Sequence, residues 1–131
     1  MIVGAGIDLV QVERIEAILR RRGWRWAERV FSPEELAAAG SGPHRARRLA
    51  ARWAAKEAFA KALGTGLRGF GWRDIRVRQD GAGRPWLEVS GRAAAMAEAA
   101  GVRRIHLSLS HDGQWAVAQV ILEGESGEGR P

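Results

Sequence analysis

The alternation of hydrophobic and polar residues predicts the elements at the start of this chain. Residues 2–10 are mostly apolar and predict a first strand. The segment 11–23 predicts a helix that ends at Gly23, because apolar residues recur at helical spacing, at Val12, Ile15, Ile18 and Leu19. A second helix begins within FSPEEL, where three residues form a capping-box pattern, Ser32, Pro33 and Glu35.

A long alanine-rich helix is predicted from about Arg45 to Leu63, between the loop GSGP (40–43) and the turn GTG (64–66). Placing successive residues about 100° apart gives this helix a bulky apolar stripe, formed by Leu49, Trp53, Phe59, Ala60 and Leu63. Alanines cover most of the remaining surface, and such small residues let another backbone approach closely. We therefore expect both sides of this helix to be packed.

The second half of the chain predicts two hairpins separated by a short helix. The strands are, in order, 74–79, 85–89, 104–110 and 114–122, joined in pairs by the turns DGAGR (80–84) and HDG (111–113). The helix between them has Ser90 as its N-cap and Gly101 as its stop. Helices early and hairpins late predict an α+β fold with an antiparallel sheet.

The composition bounds the class of protein. A chain of 131 residues with 46% hydrophobic and 27% charged residues is long enough for one core and too apolar for wholesale disorder. We expect one domain over residues 1–123 and a flexible, glycine-rich tail over 124–131. The sequence has no cysteine, no basic signal-peptide start and no apolar run near the roughly 20 residues that span a bilayer, so a cytoplasmic protein is expected.

The net charge of +6 favours an anionic partner, which is nucleic acid, a phosphate-rich cofactor or an acidic protein. A nucleic-acid-binding module needs basic residues interleaved with exposed aromatic residues along one groove. The six tryptophans are instead scattered through predicted core elements, which disfavours this class.

Three charged residues of the long helix stand in an otherwise apolar context. Lys56 falls inside the bulky stripe, where a buried ammonium needs a partner or a ligand. Glu57 and Lys61 lie along the rim of the stripe. They are either a surface ion pair one helical turn apart or part of a functional site.

A fourth charge, Asp8, lies on the first strand. It shares a strand face with Gly4 and Gly6, whose missing side chains admit something close. The alternative role for Asp8 is to cap the next helix, for which it is about three residues early. The motif GAGIDL has no third glycine, so it does not support a dinucleotide-binding fingerprint.

Asp8 and Glu57 offer hard oxygen ligands, which suit Mg²⁺ with water and substrate phosphates completing its shell. Adjacent lysines would cover the remaining phosphate charge. The residues therefore predict Mg²⁺-assisted chemistry on a phosphate ester or diphosphate, with a hydrolase as one possibility. At the predicted turn, Asp112 fits turn hydrogen bonding, and His111 fits either that role or a phosphate contact.

Taken together, the motifs GIDLV, FSPEEL, RWAAKEAFAKALGTG, GRP, LSLSHD and AVAQVIL resemble the holo-[acyl-carrier-protein] synthases, the short bacterial 4′-phosphopantetheinyl transferases. The likeness runs in order from Ile2 to about Glu123. It implies an α+β fold that assembles as a homotrimer with each active site between neighbouring subunits. It also implies transfer of 4′-phosphopantetheine from coenzyme A to a serine of apo acyl carrier protein, with release of adenosine 3′,5′-bisphosphate.

The resemblance also implies roles for single residues. Asp8 and Glu57 match the Mg²⁺ ligands, and Lys61 matches the lysine near the coenzyme A diphosphate. Arg52 falls where a contact to the 3′-phosphate is expected, and further positions match segments that line the nucleotide, Gly64, Thr65, Gly66, Arg84, Pro85 and His111. Glu57, directly or through water, is the candidate base. Asp112 departs from family members that carry another residue after the histidine, so its role stays open.

In this family the first helix is the docking surface for the small, acidic carrier protein. Four arginines are expected to contact it, Arg14, Arg21, Arg22 and Arg25. The alternative is a solvated helix end, where arginines suit the helix dipole. Whether the carrier belongs to fatty-acid or polyketide synthesis is left open.

Overall fold

A computed structural model describes residues 1–66 and 71–125 of the chain. Their helices and strands follow in the order β1 (Ile2–Gln11), α1 (Val12–Arg22), α2 (Trp24–Val30), α3 (Pro33–Ala39), α4 (Arg45–Leu63), β2 (Ile75–Gln79), β3 (Pro85–Val89), α5 (Gly91–Ala99), β4 (Val102–Asp112) and β5 (Trp115–Gly124). A short 3₁₀ turn, Trp72–Asp74, precedes β2. The predicted α+β class is confirmed, and α4 has the predicted bounds.

The strands form two antiparallel sheets. One has three strands in the order β1-β5-β4, and the other consists of β2 and β3 alone. Both predicted hairpins are therefore present, and β1 adds to the second one alongside β5. β4 continues through His111 and Asp112, so the turn between β4 and β5 is formed by residues 113–114 and not by 111–113.

α4 lies at the centre of the fold, in contact with α1, α3, β1, β2, β4 and β5. Leu49 and Phe59 of its bulky stripe are fully buried. The alanines on its other sides are buried as well, among them Ala50, Ala54, Ala58 and Ala62. The expectation that both sides of this helix are packed is confirmed.

The segment 24–30 is a helix, α2, to which the sequence pattern assigned no element. Its buried residues Trp26, Ala27 and Val30 have helical spacing, but a helix of 7 residues is too short for that spacing to stand out. The capping box of α3 is confirmed by a hydrogen bond from the Glu35 N–H to Ser32 Oγ (3.2 Å) and one from the Ser32 N–H to Glu35 Oε1 (3.0 Å). Ser90 is the N-cap residue of α5, although its side chain accepts no cap hydrogen bond.

The end of β5 extends one residue past the predicted domain boundary. Gly124 belongs to the strand, and its N–H donates to the Met1 carbonyl at 2.7 Å. Residues 126–131 of the predicted tail lie outside the described residues, so its flexibility stays a prediction. Within residues 1–66 and 71–125, no helix has both the length and the apolar character that crossing a bilayer requires. The cytoplasmic location also stays a prediction.

Candidate active site

β1 and α4 pack with their backbones in contact. A Cβ built on Gly4 would lie 2.1 Å from the carbonyl oxygen of Ala62, and one built on Gly6 would lie 2.1 Å from that of Ala58. Only glycine fits at either position, as the sequence predicted for a close approach. The strand and the helix run in opposite directions, since Gly4 meets Ala62 and Gly6 meets Ala58. Asp8 lies on the same face of β1 as the two glycines, so it faces α4.

Asp8 forms an ion pair with Lys61 across this contact. The Lys61 ammonium lies 2.8 Å from Asp8 Oδ1 and donates to the Ile7 carbonyl at 3.0 Å. Lys61 therefore pairs with β1 and not with Glu57 on its own helix, which removes the surface-pair alternative. Asp8 is within β1, and the N-cap residue of α1 is Gln11, so the capping alternative is also removed.

Glu57 is partly buried beside this ion pair. Burial raises the pKa of the Glu57 carboxyl, and the Asp8 carboxylate raises it further. Attraction from Lys61 lowers this pKa, as does a hydrogen bond from the Trp53 side chain. Two carboxylates thus lie near one ammonium, which forms its ion pair with Asp8.

This donor set fits Mg²⁺. Asp8 and Glu57 supply hard carboxylate oxygens, and a divalent cation would relieve the repulsion that raises the pKa of Glu57. Among the described residues, no group of three or more His, Cys, Asp and Glu side chains could hold a metal ion. Most of the coordination shell would therefore come from water and substrate oxygens, as is usual for Mg²⁺.

A second set of residues lines a cavity of about 240 Å³ between α4, β2 and β4. Arg52 is only 6% exposed; its Nη1 donates to the Arg48 carbonyl at 3.0 Å, and its Nε has no partner in the described part of the chain. Arg47 and His111 line the same cavity. A buried guanidinium with a free donor, beside a second guanidinium and an imidazole, suits a phosphate group.

The other sequence-predicted residues lie elsewhere. Arg84 and Pro85 line a different cavity of about 280 Å³, against residues 105–108 of β4. Gly64 ends α4 in the left-handed region (φ 79°), and the turn that it begins continues through Thr65 and Gly66, both exposed.

One chain therefore does not gather all of these residues into one pocket. Arg52 also lies on a different side of α4 from the carboxylate cluster, which is formed by Asp8 and Glu57 together with Lys61. At about 100° per residue, it lies roughly 140° to 180° around the helix from Glu57 and Lys61.

Two features of the site were missed by sequence reasoning. Lys56 is fully buried, as its place in the apolar stripe suggested, and its partner is Glu35 on α3, whose Oε1 lies 2.8 Å from Nζ. Periodicity cannot link residues on different helices. Arg47 and Arg48 were also missed, although the run RARR at 45–48 was an available signal for an anion site.

The predicted docking arginines are all exposed. Arg14, Arg21 and Arg22 lie on α1, and Arg25 lies on α2. Arg14 is close enough to Glu57 to lower the pKa of its carboxyl, so this basic surface borders the carboxylate cluster.

Known proteins are similar to this chain in sequence and in fold. A family model for the 4′-phosphopantetheinyl transferase superfamily matches residues 4–120. A holo-[acyl-carrier-protein] synthase of Koribacter versatilis is 48% identical over 124 residues, which are 94% of this chain and 99% of that protein.

Solved structures agree with this match. The holo-[acyl-carrier-protein] synthase of Neisseria meningitidis has a TM-score of 0.86 and 37% identity, covering 94% of this chain and 99% of that one. The Bacillus anthracis synthase, solved in complex with CoA (3′,5′-ADP), has a TM-score of 0.79 and 38% identity, covering 95% of this chain and 99% of that one. The chain belongs to the 4′-phosphopantetheinyl transferase superfamily, among its holo-[acyl-carrier-protein] synthases.

Proposed function

We propose that this enzyme transfers 4′-phosphopantetheine from coenzyme A to a serine hydroxyl of an apo acyl carrier protein, with Mg²⁺, and releases adenosine 3′,5′-bisphosphate. The observation that carries the proposal is the convergence of Asp8, Glu57 and Lys61 where β1 packs on α4. The complex of the Bacillus anthracis relative with CoA (3′,5′-ADP) supports coenzyme A as the donor.

Asp8 and Glu57 would hold the cation, which, when bound, supplies charge neutralisation for the diphosphate and its leaving group. Lys61 is 53% exposed and has a flexible side chain, so it can turn from Asp8 to a phosphate oxygen. There it stabilises negative charge that develops on the leaving bisphosphate. Glu57 accepts the serine proton, directly or through water, and the raised pKa of its carboxyl makes it a stronger base than an ordinary glutamate.

The cavity lined by Arg52, Arg48 and His111 is the proposed site of the 3′-phosphate. Arg84, Pro85 and the turn at residues 64–66 are proposed to line the rest of the nucleotide. A guanidinium as deeply buried as that of Arg52 is held ready for an anion and loses little entropy on binding.

We also propose that the chain forms a homotrimer with active sites between subunits. The outer face of the three-stranded sheet exposes apolar side chains, with Ile7 at 59%, Leu9 at 57% and Trp115 at 44% exposure. An apolar face of this kind favours a protein partner, and two further copies of the chain would cover it. A neighbouring subunit would also supply the phosphate cavity that one chain holds away from its own Glu57.

The exposed arginines of α1 and α2 are the proposed docking surface for the acidic carrier protein. Complementary charge speeds the encounter and fixes the orientation of two proteins more than it adds affinity. Because Arg14 lies near Glu57, a carrier bound along α1 would bring its serine to the carboxylate cluster.

A single assay tests the reaction. The protein is mixed with coenzyme A, Mg²⁺ and apo carrier protein, and mass spectrometry should detect a phosphopantetheine group on the carrier. Chelation should stop the reaction and added Mg²⁺ should restore it. Consumption of coenzyme A with an unchanged carrier would support the hydrolase instead. No reaction, together with salt-dependent retention of DNA, would support the nucleic-acid-binding module.

A further inference from the structure

The buried ion pair between Lys56 and Glu35 takes no part in the chemistry above, yet it joins several elements. Both side chains are fully buried, and Lys56 Nζ lies 2.8 Å from Glu35 Oε1. The same ammonium donates to the carbonyl oxygens of Trp72 (3.1 Å) and Ile75. Glu35 Oε2 accepts from the Val77 N–H at 3.0 Å. The pair therefore ties α3 and α4 to the 3₁₀ turn and to β2.

The β2–β3 hairpin needs such a connection. Within the described residues it pairs with no third strand, and a two-stranded hairpin alone is marginally stable in water. Its buried residues Ile75, Val77 and Leu87 provide apolar contacts, but these are not directional. Charge-assisted hydrogen bonds to separate backbone groups fix both the distance and the register of the hairpin relative to α4.

Stability alone does not account for an ion pair at this place. Apolar residues of similar volume often serve a core as well as a buried ion pair, or better, because they carry no desolvation cost. The desolvation cost is visible at Lys56: burial lowers the pKa of its ammonium, and the nearby Glu35 carboxylate raises it only in part. The distinctive contribution of the pair is therefore geometric.

The position of the hairpin matters because it forms a wall of both candidate nucleotide cavities. Gln79 at the end of β2 lines the Arg52 cavity, and Arg84 and Pro85 line the second cavity.

Resting on the proposed function, we propose that Lys56 and Glu35 are a positioning pair for coenzyme A recognition. They hold the β2–β3 hairpin at a fixed offset from α4, which fixes the shape of the two nucleotide cavities that the hairpin lines.

The test compares two substitutions. Lys56→Met removes the ammonium but keeps a chain of similar length, and Glu35 retains its bonds from the Ser32 and Val77 N–H groups. The KM for coenzyme A should rise about tenfold, while kcat changes by less than about threefold and the KM for the carrier stays the same. The matched control is Glu88→Gln, which removes the ion pairs to Arg76 and Arg78 within the same hairpin and should leave all three parameters unchanged.

Hydrogen exchange separates positioning from a general loss of stability. In Lys56→Met, the amides of β2 and β3 should exchange faster, the Val77 amide among them. Amides in β1 and β5 should keep the protection of the unsubstituted protein, since local opening does not require global unfolding. If Lys56→Met does not fold, Glu35→Gln takes its place, because it keeps the shape of the side chain and removes its charge.

The proposal is overturned if the folded variant keeps its KM for coenzyme A, or if the KM values of both substrates rise together with a loss of protection throughout. Calorimetric binding of coenzyme A separates this result from the proposed function. A protein that binds coenzyme A more tightly than its variant but leaves the carrier unmodified refutes the transfer and supports the positioning role. A protein that binds no coenzyme A refutes both.

Discussion

Lys61 on α4 forms its ion pair with Asp8 on β1, at 2.8 Å, although Glu57 lies one turn away on the same helix. The ammonium thus connects the two elements that carry the candidate metal ligands. Glu57 has no ion pair of its own among the described residues, so burial and the Asp8 carboxylate are the largest influences on its pKa and both raise it. The site therefore combines a glutamate with a raised pKa, Glu57, with an exposed lysine side chain, Lys61, that can change its partner.

Glu57→Gln should abolish transfer while the protein stays folded. In the presence of a chelator it should also raise the melting temperature at neutral pH. The reason is that the pKa of Glu57 is higher in the folded state than in the unfolded state, so stability falls as pH rises between the two values. Glutamine carries no charge to bury. Thermal unfolding at neutral and acidic pH checks this.

The difference in melting temperature should vanish in acid, where Glu57 is protonated in both states. Glu98→Gln, at an exposed position of α5, is the matched control and should have no effect at either pH. Equal melting temperatures of the Glu57→Gln variant and the parent at neutral pH would contradict the raised pKa.

Gly6→Ala should destabilise the fold by about 2 kcal/mol or more, because overpacking of a rigid contact is costly. The new Cβ would lie 2.1 Å from the Ala58 carbonyl oxygen and 2.7 Å from the Ala62 nitrogen, and neither backbone atom can rotate away. Denaturant unfolding measures the loss. The control is Gly81→Ala, whose Cβ would meet no atom within 4 Å in the part of the chain that the structure describes. An unchanged free energy of unfolding in Gly6→Ala would mean that β1 can pack against α4 with a side chain at this position.

Trp53→Phe should move the acid limb of the pH–rate profile to higher pH. The indole hydrogen bond lowers the pKa of Glu57, and phenylalanine removes that donor while keeping an aromatic ring beside Trp26, whose ring centroid lies 5.0 Å away. The profile of kcat/KM against pH measures the shift, and the two enzymes should converge at alkaline pH. Trp26→Phe, in the same aromatic stack, should leave the limb in place.

Arg21→Glu should raise the KM for the carrier protein about tenfold and leave the KM for coenzyme A unchanged, since the carrier is acidic. It should also weaken the dependence of the reaction on salt. Arg92→Glu, exposed on α5, changes the net charge equally and serves as the control. Equal effects of the two substitutions would mean that net charge matters and the α1 surface does not.

Leu9→Arg should dissociate the proposed trimer and abolish transfer. The side chain is 57% exposed in one chain, and covering an arginine at a subunit interface without a partner is costly. Sedimentation velocity should give a trimer for the parent and a monomer for the variant. Ala95→Arg, exposed on α5, should remain trimeric. A monomeric parent with full activity would refute active sites shared between subunits.

Local patterns predicted much of this fold. The loop and the glycine turn that predicted the bounds of α4, like the capping box at Ser32, depend only on neighbouring residues, which a sequence displays directly. The close packing at Gly4 and Gly6 was also foreseeable, because glycines on one face of a strand have few other uses.

Long-range partners were not foreseeable in the same way. The sequence pattern around Glu35 indicates a capping residue, and no neighbouring residue indicates that Glu35 also neutralises Lys56. The pairing of β1 with β5 depends on the whole chain, since strand alternation specifies a face and not a neighbour. The phosphate cavity depends on side chains from α4, β2 and β4 together.

The contact of the α4 carbonyl oxygens with Gly4 and Gly6 has a consequence for how this protein can change. Contact between backbone atoms, and not side-chain volume, sets the distance between β1 and α4. A core substitution elsewhere that the fold tolerates therefore leaves the spacing of β1 and α4 beside Asp8 and Glu57 unchanged.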